Sequence, residues 1–236
     1  MELIGIFSFA RFKSRPNRFL AKVKLEDSGE LVLVHVPDPG RLKELLLPDS
    51  EVIVRQDASK NRKTQYTLVG IKTGSIWVNI ESIFTNEIFR QEYHKLEKLK
   101  HLEIIRSEFT LGGSRFDFLM KDTSSGKKEL IEVKAVTLVE NQIALFPDAP
   151  TKRGARHVKE LREALDKGWN AHIVFIIKRK NATSFRPNEK MDPRFTQELR
   201  LAIQKGVKVT AAICDYDPVK KREINIIGEI AVKTDF

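Results

Sequence analysis

Apolar and polar residues alternate along much of the first third of the chain. Leu3 to Phe12, Phe19 to Leu25 and Glu30 to Val36 read as strands. Ser14-Arg15-Pro16-Asn17 and Asp27-Ser28-Gly29 separate them, and both stretches carry turn chemistry. Pro39-Gly40-Arg41-Leu42-Lys43-Glu44-Leu45-Leu46-Leu47-Pro48 predicts a short helix closed by proline. Three more strands are expected at Glu51 to Gln56, Gln65 to Ile71 and Ile76 to Ile80. A short helix between the third and fourth of several strands is the order of a small OB-like β-barrel, expected over residues 1–84.

The pattern changes near Thr85. Asn86 to Lys100 predicts a helix, with Ile88, Phe89, Tyr93, Leu96 and Leu99 at helical spacing. Strands are expected at Glu103 to Phe109, Arg115 to Lys121, Glu129 to Leu138 and Asn141 to Phe146. A helix from Thr151 to Lys167 stops at Gly168. Then follow a strand at Ala171 to Lys178, a helix at Pro193 to Lys205 and strands at Val207 to Tyr216 and Glu223 to Val232. Hairpins first and strand–helix alternation later imply a mixed sheet with helices on its faces. The expected class is α+β, a barrel followed by a mixed-sheet α/β domain over residues 85–236.

The net charge of +10 adds a preference for polyanions such as nucleic acid. A single cysteine, Cys214, excludes an internal disulfide framework, and its apolar surroundings predict a buried, inert thiol. No zinc-type spacing occurs, and no apolar run is long enough to span a bilayer. The N-terminal stretch reads as a strand rather than a leader peptide, so a soluble cytoplasmic protein is expected.

Charge in the wrong place supplies the candidate chemistry. Asp117 lies between Phe116 and Phe118, and Glu132 and Lys134 interrupt Leu130 to Val136. Strand alternation puts Glu132 and Lys134 on one face, with Ile131, Val133 and Ala135 on the other. The turn Thr123-Ser124-Ser125-Gly126-Lys127 folds the two segments antiparallel and brings Asp117 towards Glu132. Two close carboxylates repel unless a cation lies between them, and Mg²⁺ or Mn²⁺ suits such oxygen ligands. Lys134 could then position water or stabilise charge on a phosphodiester. An acid, a spacer and then Glu-x-Lys is the PD-(D/E)xK nuclease pattern, with Phe116 in place of the proline. An exposed cluster of ion pairs among Arg115, Asp117, Glu132 and Lys134 explains the same spacing equally well. Glu108, one strand earlier, is either a third ligand or an exposed strand residue, and Glu87 and Glu92 carry the same ambiguity.

Cations surround these segments. Thr151 can cap a helix whose first turns hold Lys152, Arg153, Arg156 and His157, a phosphate clamp beside the acids. Arg11, Lys13, Arg15 and Arg18 alternate with Phe12 and Phe19, which are expected as barrel core while the cations meet phosphates. Lys60-Asn61-Arg62-Lys63 is a second basic tip, and Lys178-Arg179-Lys180 is either a ligand-facing edge or a solvated tail. No helix-turn-helix or zinc finger is evident, so contacts to backbone with little base readout are expected.

Ser107-Glu108, Ser114 to Leu119, Ile131 to Leu138, Phe146 to Gly154, His157 and Glu160-Leu161 together resemble the sugar fermentation stimulation protein family. Val36-Pro37-Asp38-Pro39-Gly40-Arg41-Leu42 is similar to that family's Pro-Asn-Thr-Gly-Arg-Met segment, with Asp38 and Pro39 substituted. The resemblance implies an OB-like domain, a nuclease-like domain and binding of single- or double-stranded DNA with little sequence preference. It implies that Glu108, Asp117, Glu132 and Lys134 form a nuclease-type site. Three readings remain: an active metal-dependent endo- or exonuclease, a regulator of sugar metabolism that uses the fold as a DNA platform, and an RNA-binding protein.

Overall fold

The structure is a computed structural model that describes residues 1–38, 40–57 and 63–234. The basic tip Lys60-Asn61-Arg62 and Pro39 lie outside the described residues. Five strands form the N-terminal barrel: β1 (Phe7–Asn17), β2 (Leu20–Leu25), β3 (Leu31–His35), β4 (Glu51–Gln56) and β5 (Tyr66–Thr73). They pair in the circular order β1-β2-β3-β5-β4, closed by parallel pairing of Val34 with Tyr66 and His35 with Thr67. This is the OB barrel. The sixth strand, β6 (Ile76–Asn79), pairs with β5 and leads out of it. Alternation turns Ala10, Phe12, Val23, Val34, Val52 and Leu68 inward to one core.

Two expectations change here. The segment between Gly40 and Pro48 makes isolated turns instead of a helix, with Leu46 N–H donating to Leu42 O at 2.8 Å. So short a stretch, with Leu42 at φ 50°, cannot offset the cost of nucleating a helix. Leu42, Leu45 and Leu46 join the barrel core instead. Phe12 is core as expected, but Phe19 is 51% exposed on the β1–β2 turn.

The second unit opens with helix α1 (Thr85–Glu92), followed by a 3₁₀ turn at Tyr93–Lys95. The expected helix to Lys100 is cut short where buried Glu92 accepts the Ile226 N–H at 3.3 Å and meets the Lys95 and Met1 ammonium groups. Then come β7 (Leu102–Leu111), β8 (Ser114–Asp122), β9 (Lys128–Val136), β10 (Val139–Glu140) and β11 (Ile143–Phe146). Helix α2 (Lys152–Leu165), β12 (Asn170–Ile177), β13 (Ser184–Pro187), α3 (Pro193–Lys205), β14 (Lys208–Asp217) and β15 (Glu223–Val232) complete it. The nine strands form one mixed sheet in the order β10-β11-β13-β15-β14-β12-β9-β8-β7. Its centre, β9-β12-β14, is parallel and covered on both faces, which is why Ile173 to Ile177 of β12 reads as an unbroken apolar run. One face packs on α2 and α3, the other on α1 and the segment around Leu3. No helix among the described residues is long and apolar enough to cross a membrane.

A polar seam joins barrel and sheet. Lys178 is 1% exposed, and its ammonium donates to Asn79 Oδ1 at 3.0 Å and Glu81 O at 2.7 Å. Arg179 is also buried, and only Lys180 of the basic triplet is exposed, where it pairs with Asp215 at 2.9 Å. Asp148 Oδ2 accepts the Arg41 N–H at 2.9 Å, tying the barrel to the segment before α2.

Candidate cation and nucleic-acid site

Strands β8 and β9 pair antiparallel from Lys121–Lys128 to Phe118–Ile131. Beyond that point the ladder ends. Val133 N–H donates to the Asp117 carboxylate instead, at 2.7 Å, and Asn86 of α1 donates to its other oxygen at 2.8 Å. Asp117 is thus pinned from two elements where the strands part. Burial and then the charge of Glu132 push its carboxyl above the usual range, while the Val133 N–H works against both.

Glu132 follows the expected alternation and shares its face with Lys134, whose ammonium pairs with Oε1. The same oxygen lies 2.5 Å from His157 Nδ1. Burial alone would raise this carboxyl, but Lys134 and the His157 hydrogen bond outweigh it and hold it below the usual range. Glu132 Oε2 is buried and has no hydrogen-bond partner. The Glu132–Lys134 ion pair is therefore buried, unlike the exposed cluster that the spacing alone allowed.

The other expected residues divide. Asp117, Lys134, Glu108, Arg115 and Arg153 line one groove of about 720 Å³, bounded on the α1 side by Asn86. Glu108, at φ 55° on β7, faces outward and pairs with Arg115 at 3.5 Å. Among the described residues no three acidic, imidazole or thiol groups gather as a ready-made metal cluster. Glu87 pairs with Arg90, and Glu92 is turned away to the N-terminal amine.

Helix α2 begins as expected, with Thr151 Oγ1 accepting the Gly154 N–H at 3.0 Å. Its buried stripe is Gly154, Ala155, His157, Val158, Leu161 and Ala164, and this phase turns His157 inward to Glu132. His157 thus leaves the surface clamp, while Lys152, Arg153 and Arg156 remain exposed. On the barrel, Arg11 is paired with Glu26 and Glu51, and Lys13 with Asp49. Arg15 donates to the carbonyls of Arg41, Arg18 and Asp38, which makes it a tie between loops. Arg18 is exposed and lies 5.8 Å from the Phe19 ring centroid. Cys214 is buried, and burial pushes its thiol up to about 12.

Sequence reasoning missed Asn86, whose polar side chain at a helix start carried no sign of the strand residue it reaches. It also missed the Arg41–Asp148 tie, which joins residues 107 positions apart.

Two family models match the chain. The sugar fermentation stimulation protein RE domain covers residues 82–220, and the SfsA N-terminal OB domain covers 14–80. A sugar fermentation stimulation protein homolog of Clostridium acetobutylicum is 42% identical over 219 residues, covering 92% of this chain and 94% of that one. One from Acetivibrio thermocellus is 40% identical over 237 residues, covering 98% and 99%. The structure of Pyrococcus furiosus SfsA in complex with Ca²⁺ aligns with a TM-score of 0.85 and 30% identity over 99% of both chains. With an OB barrel followed by a mixed sheet, this chain belongs to the sugar fermentation stimulation protein family.

Proposed function

We propose that this protein binds DNA with little sequence preference along the groove between α1, β8 and α2, and that Asp117 and Glu132 hold a divalent cation there. The single observation that carries this reading is that Asp117 and Lys134 line this groove where the β8–β9 ladder opens, with buried Glu132 paired to Lys134 and exposed Arg115 and Arg153 in the same lining. The donor set fits a hard cation: both acids offer carboxylate oxygens, and Glu132 Oε2 is buried without a partner. Ca²⁺ in the P. furiosus SfsA structure supports the same class of ligand, and Mg²⁺ or Mn²⁺ is the working ion of this proposal. When bound, such an ion activates water and neutralises charge on a phosphodiester. Asp117 and Glu132 supply oxygens, Asn86 and the Val133 N–H orient Asp117, and Lys134 supplies positive charge beside Glu132. Glu108 joins the ligand set only by leaving Arg115 and turning inward. The net charge of +10 supplies attraction that does not depend on sequence.

A second reading, an active nuclease, is favoured by the complete acid–acid–lysine set, which a DNA platform does not need. The test is incubation of pure protein with labelled single-stranded and duplex DNA, with Mn²⁺ or EDTA. Mn²⁺-dependent cutting that Asp117→Asn and Lys134→Ala both abolish supports the enzyme. Binding without cutting leaves the DNA platform, and no binding at low salt removes both readings.

A further inference from the structure

The Glu132 carboxylate is held by a line of donors that begins at the protein surface. Arg153 Nε lies 3.4 Å from His157 Nε2, one helical turn away on α2. An arginine Nε–H can only donate, so His157 Nε2 is the accepting nitrogen and Nδ1 carries the ring hydrogen. Nδ1 donates to Glu132 Oε1 at 2.5 Å, and Lys134 donates to the same oxygen. With two donors on Oε1, Oε2 is the oxygen left without a partner. The imidazole is 3% exposed and stands edge-on to Phe116, with ring centroids 6.4 Å apart. The helix is itself fixed at this end, because Asp192 Oδ2 accepts the Thr151 N–H at 2.7 Å beside the Thr151 cap.

We infer that His157 is a positioning residue: its Nδ1–H, with Nε2 turned to Arg153, holds Glu132 so that Oε2 faces a divalent cation. The inference rests on the reading of Asp117 and Glu132 as a cation site. It also gives Arg153 two tasks. Its Nε anchors the buried ring while its outer nitrogens remain available to a phosphate. The cation site and the nucleic-acid surface are thereby joined through one imidazole.

The full chain is titrated with MnCl₂ by calorimetry as wild type and as His157→Ala, His157→Gln and His157→Asn. The amide nitrogen of Asn can stand where Nδ1 stands, whereas that of Gln stands nearer Nε2. Loss of an outer-shell partner weakens metal binding about 10–100-fold. A loss in that range is expected for Ala and Gln, with most of it recovered by Asn. Wild-type affinity in all three variants, or a loss that Asn does not recover, overturns the positioning role, and the Gln and Asn proteins keep the comparison valid if Ala fails to fold. In parallel, ¹⁵N spectra of the imidazoles are expected to show the Nδ1–H tautomer for His157, and to keep it in Arg153→Ala, because the Glu132 carboxylate can only accept. An Nε2–H tautomer in the wild type overturns the inference whatever the metal does. A wild type with the expected tautomer that takes up no Mn²⁺ overturns the cation reading, and with it the task assigned to Oε2.

Discussion

Asp117 takes the place of a strand partner for Val133, accepting its backbone N–H at 2.7 Å one step beyond the last β8–β9 pair. A backbone N–H left where two strands part must find an acceptor. Here the acceptor is a carboxylate, so the defect in the ladder and the charge at the mouth of the groove are one feature. The arrangement is destabilising in isolation: burial and the Glu132 charge both favour the protonated form of Asp117.

The Asp117→Asn variant should therefore gain stability as it loses cation binding. A carboxyl raised above its unfolded value contributes most stability below the unfolded pKa, and that contribution is lost as pH rises through the folded one. Above the folded pKa the wild type has lost it, and the amide is exempt. The amide oxygen still accepts from Val133, and a flipped Asn86 can accept its NH₂. In EDTA near neutral pH the variant should melt about 2–4 °C higher, roughly 1 kcal/mol, with the gap narrowing towards pH 4. A variant that melts lower than wild type at neutral pH would show that Asp117 is not under this penalty.

The fold could be read where local signals agree with tertiary demand. The α3 boundaries Pro193 and Lys205 were legible because Asp192 caps the helix, Pro193 suits its first turn and Gly206 ends it at φ 111°. Strand β13 was not, because Ser184–Pro187 is short, contains proline and pairs only with segments distant in sequence. The acids of the site were legible because charge interrupts apolar strands. The inward turn of His157 was not, since it depends on the phase of α2 against the sheet, and Arg15 gives no local sign that it ties three carbonyls instead of meeting a phosphate.

Lys178 should make the joint between barrel and sheet contribute more to stability as pH rises. Burial brings its ammonium down to about 8, with Asp38 the largest opposing influence. Between that value and the unfolded one near 10.5, the unfolded chain holds more protons, so the contribution of this group to stability rises with pH. Cys214 and Tyr216, both raised by burial, act in the opposite sense, so the comparison must be with Lys178→Met and not with the wild-type curve alone. The melting difference between wild type and Lys178→Met should move in favour of the wild type between about pH 7 and about pH 9.5. A difference independent of pH would mean that Lys178 does not titrate in that window.

The barrel loop should not tolerate even one methyl group at Gly40. A Cβ there would stand 2.3 Å from Asp148 Oδ2 and 2.8 Å from Asp38 Oδ1. Asp148 would have to leave Arg41 N–H, and the loop would lose its tie to the segment before α2. Gly40→Ala should cost about 1–3 kcal/mol, or several degrees of melting temperature. If the clash is with Asp148, the double variant Gly40→Ala/Asp148→Ala will be little worse than Asp148→Ala alone. Strictly additive losses would place the strain elsewhere.

The cations singled out in the sequence should separate by partner when DNA binding is measured against salt. Arg153 and Arg18 are exposed, and neither has a carboxylate ion-pair partner among the described residues. Each, if it meets a phosphate, contributes about 0.9 to the slope of log K against log salt on duplex DNA. Arg153→Ala and Arg18→Ala should therefore lower the slope by roughly one contact each. Arg11 and Lys13 are already neutralised by Glu26, Glu51 and Asp49, so their removal should weaken binding with a smaller change in slope. Arg15→Ala should leave the slope near wild type and lower the melting temperature, because it releases the carbonyls of Asp38 and Arg41. Fluorescence anisotropy of a labelled duplex across a KCl series reads all five variants. A wild-type slope in Arg153→Ala and Arg18→Ala alike would remove both the groove cation and the barrel cation from the DNA contact and take away the nucleic-acid track proposed beside the cation site.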